Sequence, residues 1–372
     1  MQEWTGKIVK ELDKHIRQRR ERANELKDAG FDSAEEAQKL VSYYSEIVMK
    51  EGLRATLKTI TIAMAIYKPK IDWLIEELDS IYHQTYRDFQ VLIWDDCPED
   101  TNDYNELFKG HLKEIPFTIH KGKKNLGSNG AFQNLTELTE TPFIAYCDQD
   151  DIWMPDKLQV LLGLLQADEH NTLAFSDMMV IDGKSKLVAN RIAQVRPRQV
   201  FYPGKDALLH LLAKNFIAGC TMMMKSNIAK SAIPFPPSVF HDWWLAICAA
   251  SKGKIVMADK PLMKYRIYGG NQSAVLKGIV DKSSYYEKRV LAQMELVDRV
   301  WEVFGPDDTI NLARKWCHAR AGYFEHPNIK DLIIMISLRQ YNKSTVLFET
   351  VLPFMPSIIF HKVVEAVQQG KM

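Results

Sequence analysis

Strands and helices alternate along the middle of the chain, and this alternation limits the possible folds most strongly. The segment TITIAMAI at 59–66 predicts a strand, a helical pattern follows from about Asp72 to His83, and FQVLIW at 89–94 predicts a second strand. Further strands are predicted at 117–120 and 143–147, and further helices at about 130–140 and 156–167. The pattern favours an α/β fold with a mainly parallel sheet, helices on both of its faces, and ligands bound beyond the carboxyl ends of the strands.

Helical patterns dominate both ends of the chain. Residues 1–57 are rich in Glu, Lys, Arg, Ala and Leu, and Ser33 with Glu36 matches a capping box for a helix that runs toward Val48. Helices are predicted again at about 283–304 and 308–324, and two apolar pieces follow, DLIIMISLR and VLFETVLPFMPSIIF. We therefore divide the chain into a helical segment at 1–57, an α/β unit at 58–275 and a helical segment at 276–372.

Composition excludes several classes of protein. The 48 Lys and Arg nearly cancel the 47 Asp and Glu, so a net charge of +1 gives no general attraction to nucleic acid. No run of about 18 apolar residues predicts a membrane span, and the charged N-terminus does not resemble a signal peptide. The five cysteines are widely spaced and fit reduced thiols better than disulfides or a zinc site. These features predict a cytoplasmic protein.

Three carboxylates follow the predicted strand FIAYC directly, at Asp148, Asp150 and Asp151. Because neighbouring anions repel one another, a bound cation would stabilise them, and oxygen ligands favour Mg²⁺ or Mn²⁺. In an extended segment Asp148 and Asp150 point the same way, so both can address one metal ion and a diphosphate. The alternative is that these residues, Asp151 above all, cap the helix that begins near Pro155.

A second acidic pair, Asp95 and Asp96, ends the strand FQVLIW. Because ligand sites in open α/β sheets lie at such strand ends, we expect these acids near the first group, where they could bind a nucleobase N–H or a ribose hydroxyl. The alternative is a turn opened by Asp and Pro98.

The segment FHDWWLAICAA places His241 and Asp242 at the start of an apolar helix. Asp242 is a candidate general base, since a partly apolar wall beside Trp243 and Trp244 can tune its pKa and stack a sugar ring. The alternative is that Asp242 only caps the helix, and His241 is better explained as a structural residue.

The chain also carries a set of motifs in a familiar order. They are TIAMAIYKP, SIYHQTYRDFQVLIWDDCPEDT, NLGSNGAFQN, CDQDDIWMPDKL, HDWWLAICAASKGKI and PLMKYRIYGGNQS. Together they resemble an inverting family-two glycosyltransferase with the GT-A fold, over about residues 58–275. The DQDDIW-x-P-x-KL and HDWW segments resemble the bacterial rhamnosyltransferases of surface polysaccharide synthesis in particular.

This resemblance implies a role for each matching residue. Asp242 would be the catalytic base, and Asp148 and Asp150 would form the D-x-D motif, with Asp150 as the direct metal ligand and Asp148 contacting the ribose or the metal. The remaining residues of the implied nucleotide-sugar site are Ala65, Tyr67 and Asp96 at the base, Asn125 and Gly130 in a loop near the nucleotide, Gly219 beside the sugar, Arg266 at the diphosphate, and Gln149 and Trp243 elsewhere in the same site.

Two departures from the family pattern concern this site. Tyr268 stands where the family often has a His that helps to bind the metal, which leaves the third protein ligand open. Ala65 replaces a more common Thr or Pro, so base contacts there would come from the backbone.

The resemblance implies transfer of L-rhamnose from dTDP-L-rhamnose to a glycan or lipid-linked glycan, as in O-antigen or capsule synthesis, with Mg²⁺ or Mn²⁺. The alternatives are a UDP-hexose or UDP-galactofuranose donor, a sugar nucleotidyltransferase, or a non-catalytic binding subunit. The apolar C-terminal pieces would dock on the inner face of the membrane, pack on the core or form a homodimer interface.

Overall fold

A mixed sheet of seven strands organises the computed structural model of the chain, which describes residues 58–197, 199–237, 239–268 and 278–368. In spatial order the strands are β10 (Lys254–Met257), β6 (Asn171–Phe175), β9 (Met222–Lys225), β4 (Phe143–Cys147), β1 (Ile60–Ile66), β2 (Phe89–Asp95) and β3 (Phe117–Lys121). Only β9 runs antiparallel to its neighbours within this sheet. The predicted α/β class is confirmed, whereas the predicted helix at 33–48 lies outside the described residues.

Strand β1 shows why this sheet forms at the centre of the fold. Its side chains are all buried apart from Ala65, which is half-buried, as expected of a strand covered on both faces. Ile66 pairs with Asp95 on β2, and Met64 pairs with Cys147 on β4. The carboxyl ends of these three strands therefore lie side by side at one edge of the sheet.

Helices cover the two faces of the sheet. In chain order they are α1 (Ile71–Tyr82), α2 (Asn105–Leu112), α3 (Gly127–Leu138), α4 (Lys157–Gln166), α5 (Ala207–Ala213), α6 (Ser226–Lys230) and α7 (His241–Lys252). Ile62 packs in one core cluster with residues of α1, α2 and α4, and the next residue, Ala63, packs in another with residues of α3, α5 and α7. The alternation of side chains along the strand thus gives one hydrophobic core on each face.

A second, smaller sheet is formed by four short strands that all come later in the chain than β4. It contains β5 (Ile152–Trp153), β11 (Met263–Arg266), β7 (Met179–Ile181) and β8 (Leu187–Ala189), in that spatial order. Strand β5 begins directly after Asp151 and pairs with β11. This sheet therefore fixes the acidic segment against the strand that carries Arg266.

The C-terminal helices pack onto the second core. They are α8 (Lys282–Tyr285), a π-helical turn (Tyr286–Leu291), α9 (Ala292–Phe304), α10 (Asp308–Glu325), α11 (Ile329–Ser337), α12 (Lys343–Val351) and α13 (Ser357–Gln368). Val297 and Trp316 share a cluster with Trp244 of α7. Residues 58–372 accordingly form one compact unit.

Two further observations concern the helices and the cysteines. Among the described residues, no helix combines the length and the apolar character that crossing a membrane requires. All five cysteines of the chain are buried and free of disulfides.

Candidate active site

Acidic residues from separate segments meet near the carboxyl edge of the large sheet. Asp148 follows β4, and Asp242 lies in the first turn of α7. Burial raises the pKa of Asp148 to about 7, and the nearby charges of Asp150 and Asp242 add to that rise. The predicted base and the predicted D-x-D motif are therefore neighbours.

The Asp242 carboxylate is held by backbone amides. Oδ2 accepts a hydrogen bond of 3.2 Å from the Gly219 N–H, and Oδ1 accepts one of 2.6 Å from the Trp243 N–H. Burial nevertheless raises the pKa of Asp242 to about 6. A carboxylate with such a pKa is ionised at pH 7 and can accept a proton more readily than an exposed one.

Gly219 lies against the residue that precedes the base. A Cβ atom at Gly219 would lie 2.8 Å from His241 Nε2, which is closer than real Cβ contacts. The His241 ring stacks on Phe132 with a centroid distance of 4.1 Å, and burial lowers its pKa to about 3, so it is neutral. The close approach of these two residues explains why a glycine is required at 219.

Asn129, on α3, fixes the start of α7. Its Oδ1 accepts from the His241 N–H at 2.8 Å, and its Nδ2 donates to the Val239 carbonyl at 2.5 Å. The helix that carries Asp242 is thus tied to the helix that follows the loop at 122–126. Asn129 was not among the predicted site residues, although it lies within the NLGSNGAFQN motif.

Tyr67 and Gln149 join the ends of β1 and β4. The Gln149 side chain accepts from the Tyr67 N–H at 2.7 Å and donates to the Tyr67 carbonyl at 3.1 Å. The Tyr67 side chain is 44% exposed. Gln149 therefore positions the backbone that displays Tyr67, while the neighbouring Ala65 stays half-buried in the strand.

Asp96 is bound to the N-terminus of α3. Its carboxylate accepts from the Leu126 N–H at 2.9 Å and from the Gly127 N–H at 2.8 Å. The Asn125 side chain accepts from the same Gly127 N–H at 2.9 Å, and a Cβ at Gly130 would lie 2.5 Å from the Leu126 Cβ. These three predicted residues thus shape one loop. The Asp95 carboxylate instead accepts from the Cys97 N–H, a contact within the turn that follows β2.

The acidic segment after β4 does not cap α4. Asp151 Oδ1 accepts from the Arg266 N–H at 2.9 Å, Asp150 Oδ2 accepts from the Tyr268 hydroxyl at 2.7 Å, and α4 begins only at Lys157. The helix-cap alternative is therefore wrong. Burial raises the pKa of both carboxyl groups, that of Asp151 most strongly.

The same segment offers a set of ligand atoms for a divalent cation. One atom each from Asp148, Asp151 and Cys220 lies within 4.8 Å of the others, and the buried Asp151 Oδ2 has no hydrogen-bond partner among the described residues. Burial raises the pKa of the Cys220 thiol and that of the Asp151 carboxyl well above their usual values. Hard oxygen ligands of this kind fit Mg²⁺ or Mn²⁺.

Arg266 corrects one prediction. Its side chain is fully buried, and its guanidinium donates to the Asp150 carbonyl at 2.7 Å, to Ser185 Oγ at 2.8 Å and to Glu76, with which it forms an ion pair. A guanidinium enclosed in this way supports the D-x-D segment from behind instead of approaching a diphosphate.

Trp243 is anchored to a neighbouring helix. Its indole N–H donates to the Leu211 carbonyl at 2.7 Å, and the side chain is half-buried. Trp244 donates in the same way to the Ala232 carbonyl and is buried. Of the two indoles only Trp243 keeps surface open to solvent.

Comparison with known proteins shows which family the α/β unit resembles. Residues 61–231 match the model of glycosyl transferase family 2, a segment that includes the Asp96 loop, the D-x-D segment and Gly219. Residues 61–231, a little under half of the chain, are thus similar to glycosyltransferase family 2. The relatives of the chain include an uncharacterized glycosyltransferase of Methanocaldococcus jannaschii, 24% identical over 56% of this chain and 70% of the relative.

Other curated relatives agree at the level of the family. The dTDP-rhamnosyl transferase RfbG of Shigella flexneri is 26% identical over 56% of this chain and 73% of its own length. An uncharacterized glycosyltransferase of Rickettsia felis is 28% identical over 58% of this chain, and the match spans only 34% of that longer protein.

Solved structures confirm the fold of the chain. Residues 1–349 of S. aureus TarS, solved in complex with UDP-GlcNAc, superpose with a TM-score of 0.54 at 14% identity, covering 84% of this chain and 92% of that one. The same fragment with UDP gives a TM-score of 0.50 at 13% identity. The predicted GT-A fold is confirmed by this likeness.

Two buried ionisable residues beneath the site were not predicted from the sequence. Glu77 and Lys157 are fully buried, and Lys157 donates to the Cys220 carbonyl. Burial raises the pKa of Glu77 to about 8 and lowers that of Lys157. The signal was available, since both positions fall on the apolar faces of α1 and α4, where charged residues are rarely found without a partner.

Proposed function

We propose that this glycosyltransferase uses Asp242 as the general base of a single inverting displacement. Asp242 takes the proton from an acceptor hydroxyl while the acceptor oxygen bonds to the anomeric carbon of the donor. The bond from that carbon to the diphosphate oxygen breaks on the opposite face, so the configuration inverts. The observation that supports this role is the half-buried Asp242 carboxylate, with its raised pKa of about 6, beside Asp148.

The carboxylates of the acidic segment supply the proposed metal site. Asp148 and Asp150 would hold Mg²⁺ or Mn²⁺, and Asp151, whose carboxylate lies within 4.8 Å of that of Asp148, would offer a further oxygen. The cation would offset negative charge on the leaving diphosphate. Tyr268 gives its hydroxyl hydrogen bond to Asp150, which supports a role in orienting that carboxylate in place of the family's His.

The remaining predicted residues form the proposed donor site. Tyr67, with Ala65 before it, and the Asp96 loop with Asn125 and Gly130 would surround the nucleotide, and Gln149 would fix the Tyr67 backbone. Gly219 and Trp243 flank the base and would adjoin the sugar.

We infer dTDP-L-rhamnose as the donor and a glycan or lipid-linked glycan of a bacterial surface polysaccharide as the acceptor. The likeness to the dTDP-rhamnosyl transferase supports this donor, and the UDP-GlcNAc bound to TarS keeps a UDP-sugar as the alternative. A thermal-shift screen of dTDP-, UDP- and GDP-sugars with Mg²⁺ or Mn²⁺ would identify it, since a ligand raises the melting temperature according to its affinity.

The Asp242→Asn variant tests the mechanism. An amide cannot accept the proton, so we expect turnover to fall about 10³-fold or more while nucleoside diphosphate still binds, since removing a general base typically costs 10²–10⁴-fold. Turnover is measured as nucleotide release with the donor from the screen, and binding by calorimetry. Turnover within threefold of the wild type would contradict the assignment.

We also propose that the exposed apolar residues of the C-terminal helices contact the inner face of the membrane. These are Ile329, Ile333, Ile336, Leu347, Val351, Phe354, Ile358 and Ile359, called the C-terminal apolar surface below. Lys343 lies one turn before Leu347, and Lys362 one turn after Ile358, so positive charge accompanies the apolar side chains on the same helix faces. A cytoplasmic protein that forms a homodimer through this surface is the alternative.

A further inference from the structure

Among the described residues, carboxylates dominate the centre of the proposed active site. Asp148, Asp150 and Asp242 gather there, whereas a nucleotide-sugar donor brings an anionic diphosphate. Arg266, the arginine that the family resemblance assigned to the diphosphate, is enclosed behind the acidic segment. If a basic side chain of the protein binds the donor phosphates, it must therefore come from a position other than Arg266.

Lys70 provides an exposed ammonium beside the acidic segment. It immediately precedes α1, after the loop that follows β1. Its Nζ lies 3.8 Å from the centroid of the Trp73 ring and 5.5 Å from that of the Tyr268 ring. Contacts with aromatic faces position an ammonium without neutralising its charge.

The two aromatic rings connect Lys70 to Asp150. The rings of Trp73 and Tyr268 pack against each other with a centroid distance of 4.8 Å, and the Tyr268 hydroxyl donates to Asp150 Oδ2 at 2.7 Å. No carboxylate oxygen of the described residues lies within 4 Å of the Lys70 ammonium. The Lys70 ammonium thus lies close to the D-x-D motif and forms no salt bridge with a carboxylate of the described residues.

We propose that Lys70 binds the diphosphate of the donor, and that Trp73 and Tyr268 hold its ammonium in place beside Asp150. This assignment rests on the proposed function, namely that the site binds a nucleoside-diphosphate sugar. In this assignment Tyr268 has two roles, because its hydroxyl contacts the Asp150 carboxylate and its ring contacts the Lys70 ammonium.

Binding measurements on the full chain test this assignment. The probes are dTDP and UDP, with the matching nucleosides thymidine and uridine, in the presence and absence of Mg²⁺. A hydrogen bond to a charged group corresponds to roughly a 10- to 100-fold change in affinity. We expect Lys70→Ala to weaken nucleoside diphosphate binding to that extent in calorimetry, and to leave nucleoside binding unchanged in ligand-observed NMR.

Two further variants sharpen the comparison. Lys70→Arg keeps the positive charge and should retain most of the affinity. Lys109→Ala removes the same charge from α2, where that lysine is 72% exposed and pairs with Glu106, and should bind like the wild type. Equal affinity of Lys70→Ala and the wild type for the diphosphate, or an equal loss in Lys109→Ala, would overturn the role of Lys70 and leave the proposed function standing. A wild-type chain that binds neither dTDP nor UDP would instead contradict the proposed function.

Discussion

The Asp242 carboxyl has a pKa of about 6 because burial penalises its charged form. As a general base it must be ionised, so we expect kcat to rise about tenfold per pH unit below pH 6 and to level off above pH 7. The measurement uses saturating donor and divalent cation, and nucleotide binding at each pH separates catalysis from binding. A kcat that stays constant from pH 5 to pH 8 would rule out Asp242 as the titrating base.

Gly219 gives a second test at single-residue resolution. Gly219→Ala would place a Cβ atom 2.8 Å from His241 Nε2 and 3.5 Å from the Asp242 Cβ, so the His241 ring or the Gly219 backbone that binds Asp242 must shift. Because small displacements of a catalytic group are costly, we expect kcat to fall at least about tenfold.

The matched control for this change is Gly110→Ala, on α2, where a Cβ meets nothing within 4 Å. This variant should keep wild-type kcat and gain a little stability from the better helix propensity of alanine. Equal kcat values for the two variants would show that the contact between Gly219 and His241 does not position the base.

The environment of some site residues could be predicted from the sequence, and that of others could not. The acids of the site could be predicted because each directly follows a strand or opens a helix, which are local patterns. Arg266 could not, because its environment depends on Glu76 and Ser185, which are distant in sequence. Lys70 escaped notice for the same reason, since Tyr268 approaches it only in the folded chain.

At the level of elements, local periodicity predicted the parallel strands β1 to β4 well, but not the parallel pair β6 and β10. The structure gives β1, β2 and β4 at 60–66, 89–95 and 143–147, within one residue of the predicted bounds. The second sheet was missed because its strands have two to four residues, too few to show a period. The antiparallel orientation of β9 could not be predicted from the sequence either, because it depends on which strands flank β9 in the sheet.

A buried ion pair joins α10 to α12. Arg320 donates to both Glu349 oxygens, at 2.7 and 2.6 Å, and both residues are buried. Removing the carboxylate leaves the Arg320 guanidinium buried without its ion-pair partner. We therefore expect Glu349→Ala to lower the free energy of unfolding by about 3–5 kcal/mol. Denaturant unfolding measures this change.

The control for this pair is Glu302→Ala. Glu302 pairs with Arg299 at 3.2 Å on the surface of α9, where both side chains are exposed. Its loss should cost less than about 1 kcal/mol. Similar losses in the two variants would contradict the structural importance assigned to Arg320 and Glu349.

At the scale of the whole molecule, the C-terminal apolar surface should govern membrane attachment. We expect the full chain to sediment with vesicles that contain anionic lipid and less with neutral vesicles, because Lys343 and Lys362 accompany the apolar residues. The double variant Leu347→Asp with Phe354→Asp, at positions 73% and 72% exposed, should lose this association about tenfold or more, since a charge in the interface opposes apolar burial.

Val188→Asp supplies the control, since Val188 is 56% exposed on β8, outside the C-terminal apolar surface. It should sediment like the wild type. Wild-type sedimentation of the double variant would exclude this surface as the membrane contact. Loss of a wild-type dimer in the double variant, measured by analytical ultracentrifugation, would favour the homodimer alternative instead.

The burial of all five cysteines gives the protein an internal set of reporters. A thiol reagent can reach them only when the surrounding structure opens, so the labelling rate follows the free energy of opening at each position. Cys147 and Cys220 lie beside the acidic segment, whereas Cys317 lies in α10. Labelling resolved by mass spectrometry can thus distinguish opening of the site from unfolding of the C-terminal helices, in a chain that needs no introduced label.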